Sequence, residues 1–585
     1  RCSSVFSVKG AGATAMIGGT PGSEIGQSSQ DTWARRDEVL RGRRNAPKMA
    51  DCGVMNFARD VLEAQAHERV ALVELTREGA RREWTFGEIE EQGERMAAAL
   101  SERGVGRGDV VMTLIGNRPE WVLTMLACFR LGAVVLPCTE QLRAKDLRLR
   151  LHVARPSLIV ADARNRAELT GARPGCPVMW TPWECLGGDS KKGRPTRTRG
   201  AAQIEQHPQH PHAPPPDPLP PPSGSPAHPI TAPPPYAELA EDEPALITFT
   251  SGTAGEPKAV VHAQRYLYGQ RLQAEKWLGA EAGDLVWCTA ASGWSKSARN
   301  VWIAPWLTGA RALLHDARFD PSERLEVIER ERVNVLCMAP TEYRVIAKRA
   351  KLRKLPSLKG MVAAGEALNP EVLAAWKEAT GLDIRDGYGQ TETGQMTGMG
   401  IGGEARKGSM GRALEGVCLR IVEGELTADP SSVETFFLGY LGEEVERKDG
   451  KWSVEDRREG GEWRTGDRVS EDDEGYLHFE GRADDVIVSA GYRIGPFEVE
   501  SALVAHPAVA EAAAVAAPDE ERGQVVRAIV VLRDGYEPSA ELARELQEHV
   551  KGETAPYKYP RIVEFAEELP KTASGKIKRA QLREN

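Results

Sequence analysis

The sequence predicts an α/β fold: a large N-terminal domain of parallel-rich sheets packed with helices plus a β-rich subdomain, and a small α+β C-terminal domain. Three observations predict it. Short apolar runs alternate with amphipathic helical patterns from Met55 onward. After about residue 410 the texture changes to Gly/Glu/Asp-rich turns and short strands, and from 481 to 585 strands and helices mix again. The chain has 585 residues, so a large buried core is available.

Residues 1–54 read as a disordered leader. Residues 1–23 contain no acid and several Ser and Ala, so a transit peptide is the alternative. A cytoplasmic location is expected, or the mitochondrial matrix if the leader is a transit peptide. The large domain is expected over 55–480. Within it "DVVMTLIG" and "AVVLPC" read as buried strands, and "PEWVLTMLACFRLG" between them as a helix ended by Gly132. Strand, helix, strand at this spacing is a βαβ unit. "SLIVAD" continues the pattern.

Residues 187–237 break it. This proline-rich insertion cannot form a packed core and is expected to be disordered or polyproline II. Its composition would suit an SH3-type partner. From 244 the alternation resumes, with "DLVWCTA", "ARALLHD", "VNVLCMAP" and "LKGMVAAGE" as strands and "PSERLEVIERER" and "NPEVLAAWKEATG" as helices. "VCLRIVEGEL" and "GYLHFEG" mark the β-rich subdomain, about 410–480. The small domain begins near "GRADD", at 481.

Composition excludes several classes. The net charge of −9 comes without a basic stripe, which argues against nucleic acid as the main partner. Nine scattered cysteines, without CxxC spacing, argue against a disulfide framework or a structural zinc. No apolar run is long enough to span a bilayer.

The chemistry starts at "TSGTAGEPK", residues 250–258, which follows the apolar "ALITF". Gly252 and Gly255 let backbone N–H groups approach an anion. Thr250, Ser251 and Thr253 add hydroxyls and Lys258 a charge. The loop lacks the Gly-Lys-Ser/Thr ending of a Walker sequence, so on its own a phosphate binder and a flexible connection both stand. "DGYGQTETG", 386–394, sets an aromatic, hydroxyls and Glu392 around a Gly turn. A carboxylate beside phosphates needs a cation between, which suits Mg²⁺ at Glu392. Asp467 in "WRTGDRV" can accept ribose hydroxyls, and Lys576 in "PKTASGKIKR" stands on a Ser/Gly turn.

With "GRADDVIVSAGYRIGPFEVE", 481–500, these five motifs, in this order, resemble the adenylate-forming (AMP-binding) superfamily, and "SGWSKSA" and "TAPYKYPR" resemble its medium-chain acyl-CoA synthetase branch. The resemblance covers 55–585 without the insertion. It implies an acid–thiol ligase that activates a medium-chain fatty acid as acyl-adenylate and passes it to CoA, with Mg²⁺ as cofactor and ATP and CoA as co-substrates. It also implies a mobile C-terminal domain hinged near Asp484.

Residue by residue, it implies that Lys576, Glu392 and Thr253 are catalytic and that Glu392 holds Mg²⁺. The ATP site would comprise Gln141, Thr250, Ser251, Gly252, Thr253, Ala254, Gly255, Glu256, Pro257 and Lys258. To these it adds Gly365, Glu366, Asp386, Gly387, Tyr388, Gly389, Gln390, Thr391, Asp467, Arg482, Arg493 and Lys576. CoA would meet Ala490, Gly491, Tyr492, Arg522, Lys551 and Tyr559. Trp294 and Gly389 would bound the acyl pocket, Gly389 standing where acetate-specific relatives have a pocket-closing Trp. The stretch 422–437 is shorter than the resemblance implies, which leaves its packing open. Two other readings remain: an adenylate passed to another acceptor, and a non-catalytic nucleotide-binding scaffold. The absence of a carrier domain after Lys576 favours CoA over the first, and intact Glu392, Asp467 and Lys576 argue against the second.

Overall fold

The computed structural model describes residues 54–181, 232–250, 256–365, 370–402, 405–406, 408–455, 457–459, 461–483, 485–489, 492–519, 521–572 and 576–584. Expectations for the leader 1–53, for 187–231 of the insertion and for Ser251, Gly252, Thr253, Ala254, Gly255, Glu366, Asp484, Ala490 and Gly491 fall outside these residues, as does the side chain of Arg493.

In chain order, β1 (Val70–Leu75) and β2 (Arg81–Thr85) form an antiparallel pair, followed by β3 (Val110–Leu114), β4 (Val134–Cys138), β5 (Leu158–Asp162) and β6 (Val178–Thr181). Next come the antiparallel pair β7 (Pro244–Phe249) and β8 (Ala259–Ala263). Then follow β9 (Leu285–Cys288), β10 (Arg311–His315), β11 (Val335–Met338), β12 (Gly360–Ala364) and β13 (Ile384–Gly387). Two seven-stranded sheets result: β13-β12-β11-β9-β10-β1-β2, and Gly439–Tyr440 followed by β8-β7-β4-β3-β5-β6. Most pairings are parallel, as the sequence predicts, with antiparallel strands at β2 and β8.

Every residue of β3, β4 and β5 is buried. Parallel strands covered on both faces read as continuous apolar runs rather than alternating ones. The helix Pro119–Leu131 is buried on nearly all sides. One core unites it with the facing sides of both sheets, Val111, Val135 and Val160 from one and Leu72, Val286 and Val362 from the other. A helix packed all round has no polar face to show, which explains "WVLTMLACF". It ends at Gly132, whose φ of 71° favours glycine. The helix Phe86–Glu102 starts with a reciprocal cap: Glu88 N–H donates to Thr85 Oγ1 at 3.1 Å, and Thr85 N–H donates to the Glu88 carboxylate at 2.8 Å.

The insertion departs from expectation at its end. Residues 232–237 are described and packed: Arg130 lies over the Tyr236 ring at 3.9 Å and donates to Pro234 O at 2.7 Å, while Asn56 donates to Ala237 O at 2.9 Å. An aromatic and a buried arginine anchor this segment where proline composition alone predicts none.

Beyond β13, Leu419–Val422, Glu425–Ala428, Trp463–Glu471 and Leu477–Arg482 form a four-stranded antiparallel sheet. The short stretch 422–437 closes through Glu423 and Gly424, at φ 54° and 81°. Val433, Phe436 and Phe437 bury there against Val260 and Met396. A further sheet with its own core joins Ile487–Ser489, Tyr492–Ile494, Val509–Asp519, Gly523–Leu532 and Ile562–Phe565, covered by the helices Pro496–Ala505 and Ala540–Glu553. Among the described residues no helix is long and apolar enough to cross a membrane.

Candidate functional site

The 250–258 loop connects two antiparallel neighbours, not a strand and a helix. Its ends are tied: Thr250 N–H donates to Lys258 O at 2.9 Å and Lys258 N–H to Thr250 Oγ1 at 3.0 Å. Glu256 and Lys258 are exposed and Pro257 is partly buried. Lys258 Nζ donates to Glu443 at 2.8 Å and lies 4.4 Å over the Tyr440 ring. Tyr440 OH in turn donates to Glu392 Oε1 at 2.9 Å. Burial and this carboxylate push the Tyr440 phenol up. Tyr440 reaches the site because its two-residue strand pairs with β8, opposite Val260. Sequence reasoning missed it; a tyrosine in "LGYLG" carries no local signal.

A second group gathers around Asp467, which is only 5% exposed. Tyr388 OH donates to Asp467 Oδ2, and Gln390 Nε2 donates to the same oxygen at 2.9 Å. Arg482 Nη1 donates to Oδ1 at 3.3 Å. Asp467 and Arg482 are register partners in the antiparallel sheet. Desolvation raises the Asp467 carboxyl, while Arg482, Tyr388 and Gln390 pull it back. Gln390 also donates to Thr465 O at 2.7 Å and accepts from Trp463 Nε1 at 3.2 Å. Four residues predicted from three motifs thus meet. Thr391 is partly buried beside them.

Asp386, at the carboxyl end of β13, accepts from Gly387 N–H at 2.8 Å. Desolvation pushes its carboxyl up to about 8, against the Gly387 amide and the Lys296 charge. Gly365 follows β12 with φ 103°.

Gly389 sits in a tight backbone pairing. It faces Gly394 and Gln395 across a short antiparallel pair, and a Cβ there would collide with the Gly394 carbonyl. The direction a side chain would take is filled by the Gly394 backbone, so the missing side chain serves this close approach. Trp294 is partly buried against the main core. Its neighbour Gly293 packs so tightly on the end of β4 that a Cβ would clash with the backbone of Cys138 and Thr139. Gln141, two residues on, is exposed.

In the C-terminal part, Tyr492 is 52% exposed and stacks on Tyr557 at 4.4 Å. Arg522 N–H donates to Asp519 at 2.9 Å, in a turn beside Gly523, the register partner of Ser489. Lys551 lies 4.3 Å over the Tyr559 ring. Tyr492 and the turn that carries Arg522 therefore both adjoin the strand Ile487–Ser489, while Lys551 and Tyr559 form a separate pair. Lys576 is exposed on a turn where Lys571 bridges Ile577 and Thr572 N–H donates to Lys576 O at 2.8 Å. Lys571 pairs with Glu511 at 2.7 Å, and Arg579 with Glu500 at 2.8 Å, fixing this turn to the sheet and to the helix Pro496–Ala505. Asp485, next to the expected hinge, pairs with Arg579 at 3.7 Å and with Arg583. Among the described residues no group of three His, Cys, Asp or Glu could hold a metal.

Residues 59–435 match the model of the AMP-binding enzyme family, and 498–576 match that of the AMP-binding enzyme C-terminal domain. The chain belongs to the AMP-binding enzyme family. A relative in this family, the mitochondrial acyl-coenzyme A synthetase ACSM3 of Mus musculus, is 36% identical over 548 residues, 90% of each chain. The acyl-CoA synthetase of Brucella canis has a similar structure, with a TM-score of 0.63, 30% identity and coverage of 95% of this chain and 98% of that one. The anthranilate CoA ligase AuaEII, solved with anthranoyl-AMP, gives a TM-score of 0.72 at 26% identity over 91% and 97% of the chains.

Proposed function

We propose that this AMP-binding enzyme is an ATP-dependent acyl-CoA synthetase. It activates a carboxylic acid of medium length as acyl-adenylate, transfers the acyl group to CoA, and releases AMP and pyrophosphate. The observation that carries this reading is the convergence of Tyr388, Gln390, Asp467 and Arg482 two residues from Glu392, itself linked through Tyr440 to Lys258. The family relationship agrees with it.

The acid is ionised at neutral pH, so no general base is required. Its carboxylate attacks the α-phosphorus in line, and catalysis is positioning and charge stabilisation. The 250–258 loop, with Lys258, would clamp the leaving pyrophosphate. Glu392 would hold Mg²⁺, which neutralises phosphate charge. A hard carboxylate oxygen fits that ion, which takes one or two carboxylates and completes its shell with phosphate and water.

Asp467 would accept the ribose hydroxyls. A carboxylate has about four acceptor sites, and Tyr388, Gln390 and Arg482 already use three. Taking both hydroxyls requires one donor to yield, and Arg482, the longest at 3.3 Å, is the one to swing. Lys576 would stabilise charge at the α-phosphate in the first half-reaction. Tyr492 and Arg522 would meet CoA in the second, after the C-terminal unit turns about Asp484.

A panel of C2 to C16 and aromatic acids with ATP, Mg²⁺ and CoA tests the reading, scoring AMP and thioester. CoA-dependent AMP release supports it. AMP release that ignores CoA favours another acceptor, and no pyrophosphate with any acid favours a scaffold. We place the enzyme in the cytoplasm, with the mitochondrial matrix as the alternative. A reporter fused to residues 1–54 separates the two by where it accumulates.

A further inference from the structure

Arg457 opens the short turn Arg457–Glu459, between the strand Lys451–Val454 and the strand that carries Asp467. Its guanidinium lies 5.9 Å over the Phe437 ring, 5.9 Å over Tyr440 and 5.8 Å over Trp463. Two of these rings hold site residues. Tyr440 OH donates to Glu392 at 2.9 Å, and Trp463 Nε1 donates to Gln390 at 3.2 Å. Burial and Glu392 push the Tyr440 phenol up, and Arg457 pulls it back, so its charge reaches the hydroxyl that holds Glu392. Lys258 lies over the same Tyr440 ring at 4.4 Å. Two cations from distant segments thus meet at one phenol.

Each has its own counter-charge. Lys258 pairs with Glu443, and Arg457 with Glu444. The two acids are neighbours in the turn that Glu443 N–H closes on Tyr440 O at 3.0 Å. Arg457 Nη2 donates to Glu444 Oε1, while Tyr440 N–H donates to the other oxygen at 3.0 Å. Glu444 therefore keeps a partner when Arg457 moves. Its side chain is 15% exposed and that of Arg457 35%, so the arginine is the member open to an arriving anion. Rings nearly 6 Å away are at the outer limit of cation–π attraction. They orient the guanidinium plane and leave its charge for another anion. A guanidinium fork meets two phosphate oxygens at once, whereas an ammonium is a point charge. Magnesium pyrophosphate still carries net negative charge, and Lys258 alone supplies one positive charge against it.

We propose that Arg457 is a further ligand of the leaving pyrophosphate, exchanging Glu444 for the β- and γ-phosphates of ATP. This role rests on the proposed synthetase activity and adds a residue to its phosphate subsite. It does not extend to AMP, which lacks those two phosphates.

Calorimetry on the purified full chain reads binding of magnesium pyrophosphate and, separately, of AMP. Arg457→Gln should weaken magnesium pyrophosphate by about tenfold or more, the loss of a hydrogen bond to a charged group, with AMP changed less than about twofold. The half-saturating ATP concentration in ATP–pyrophosphate exchange should rise in step, while thioester formation from supplied acyl-adenylate stays as in wild type. Arg458, in the same turn, pairs with Asp242 at 3.9 Å, and Arg458→Gln should leave pyrophosphate affinity unchanged. AMP weakened as much as pyrophosphate by Arg457→Gln, or pyrophosphate weakened equally by Arg458→Gln, overturns the role, since either means that the turn and its rings were lost rather than a phosphate contact. So does an unchanged pyrophosphate affinity in Arg457→Gln. Should that variant not fold, Glu444→Gln decides. Pyrophosphate should bind severalfold more tightly once Arg457 has no competing carboxylate, and affinity equal to or below wild type overturns the role. All these outcomes leave the synthetase reading intact. If wild type binds neither AMP nor magnesium pyrophosphate and no acid releases AMP, both fall.

Discussion

The Tyr440 hydroxyl donates to Glu392 Oε1 at 2.9 Å while Lys258 lies 4.4 Å over the same ring. Three segments far apart in sequence are joined by one phenol, and each has a part in the proposed handling of phosphate.

Replacing Tyr440 with Phe keeps the ring under Lys258 and removes only the donor. Losing a hydrogen bond to a charged acceptor costs about 1.5–3 kcal/mol, here largely as lost orientation of Glu392. ATP–pyrophosphate exchange should fall roughly tenfold, with half-saturation by Mg²⁺ shifted to higher concentration. An unchanged Mg²⁺ titration would separate Tyr440 from the metal.

Asp386 gives the stability a pH dependence of definite sign. Its carboxyl is pushed up from the ordinary 3.8 to about 8 in the folded state. The folded protein holds a proton that the unfolded chain gives up near its ordinary value. The stabilisation is fully present below about pH 4 and is lost as pH rises through about 8. Thermal unfolding between about pH 5 and 9 should show wild-type Tm falling more steeply than that of Asp386→Asn. Parallel curves would contradict the burial assigned to this carboxyl.

Lys576 stands on a turn fixed to the C-terminal sheet. Under the proposed function it serves only the first half-reaction. Lys576→Ala should slow adenylation by at least ~100-fold, while thioester formation from supplied acyl-adenylate survives. Equal loss in both halves would sink this assignment.

Gly389 has backbone where a side chain would go. Gly389→Ala should destabilise the protein by about 1–3 kcal/mol, the range for overpacking a tight site. Denaturant unfolding reads it directly. A variant as stable as wild type would mean that the pairing with Gly394 gives way easily.

The sequence announced what is local. β3, Pro119–Leu131 and β4 were legible because burial on both faces leaves continuous apolar runs, and Gly132 marks the helix end. The meeting of Tyr388, Gln390, Asp467 and Arg482 was legible only through resemblance, since no spacing rule joins residues 79 apart. Tyr440 was missed for the same reason: its meaning comes from strand pairing. At Gly389 sequence shows that a side chain is missing but not that the Gly394 backbone fills its place.

The Lys258–Glu443 pair has a consequence for how the loop meets its ligand. Under the proposed role, pyrophosphate competes with Glu443 for the charge of Lys258. Glu443 then acts as an internal counter-anion, exchanged for phosphate when nucleotide enters and restored when it leaves. The loop carries a neutralised lysine at both ends of the cycle, and product release is assisted by a competing carboxylate already in reach. Glu443→Gln would remove that competitor, and pyrophosphate should then leave more slowly.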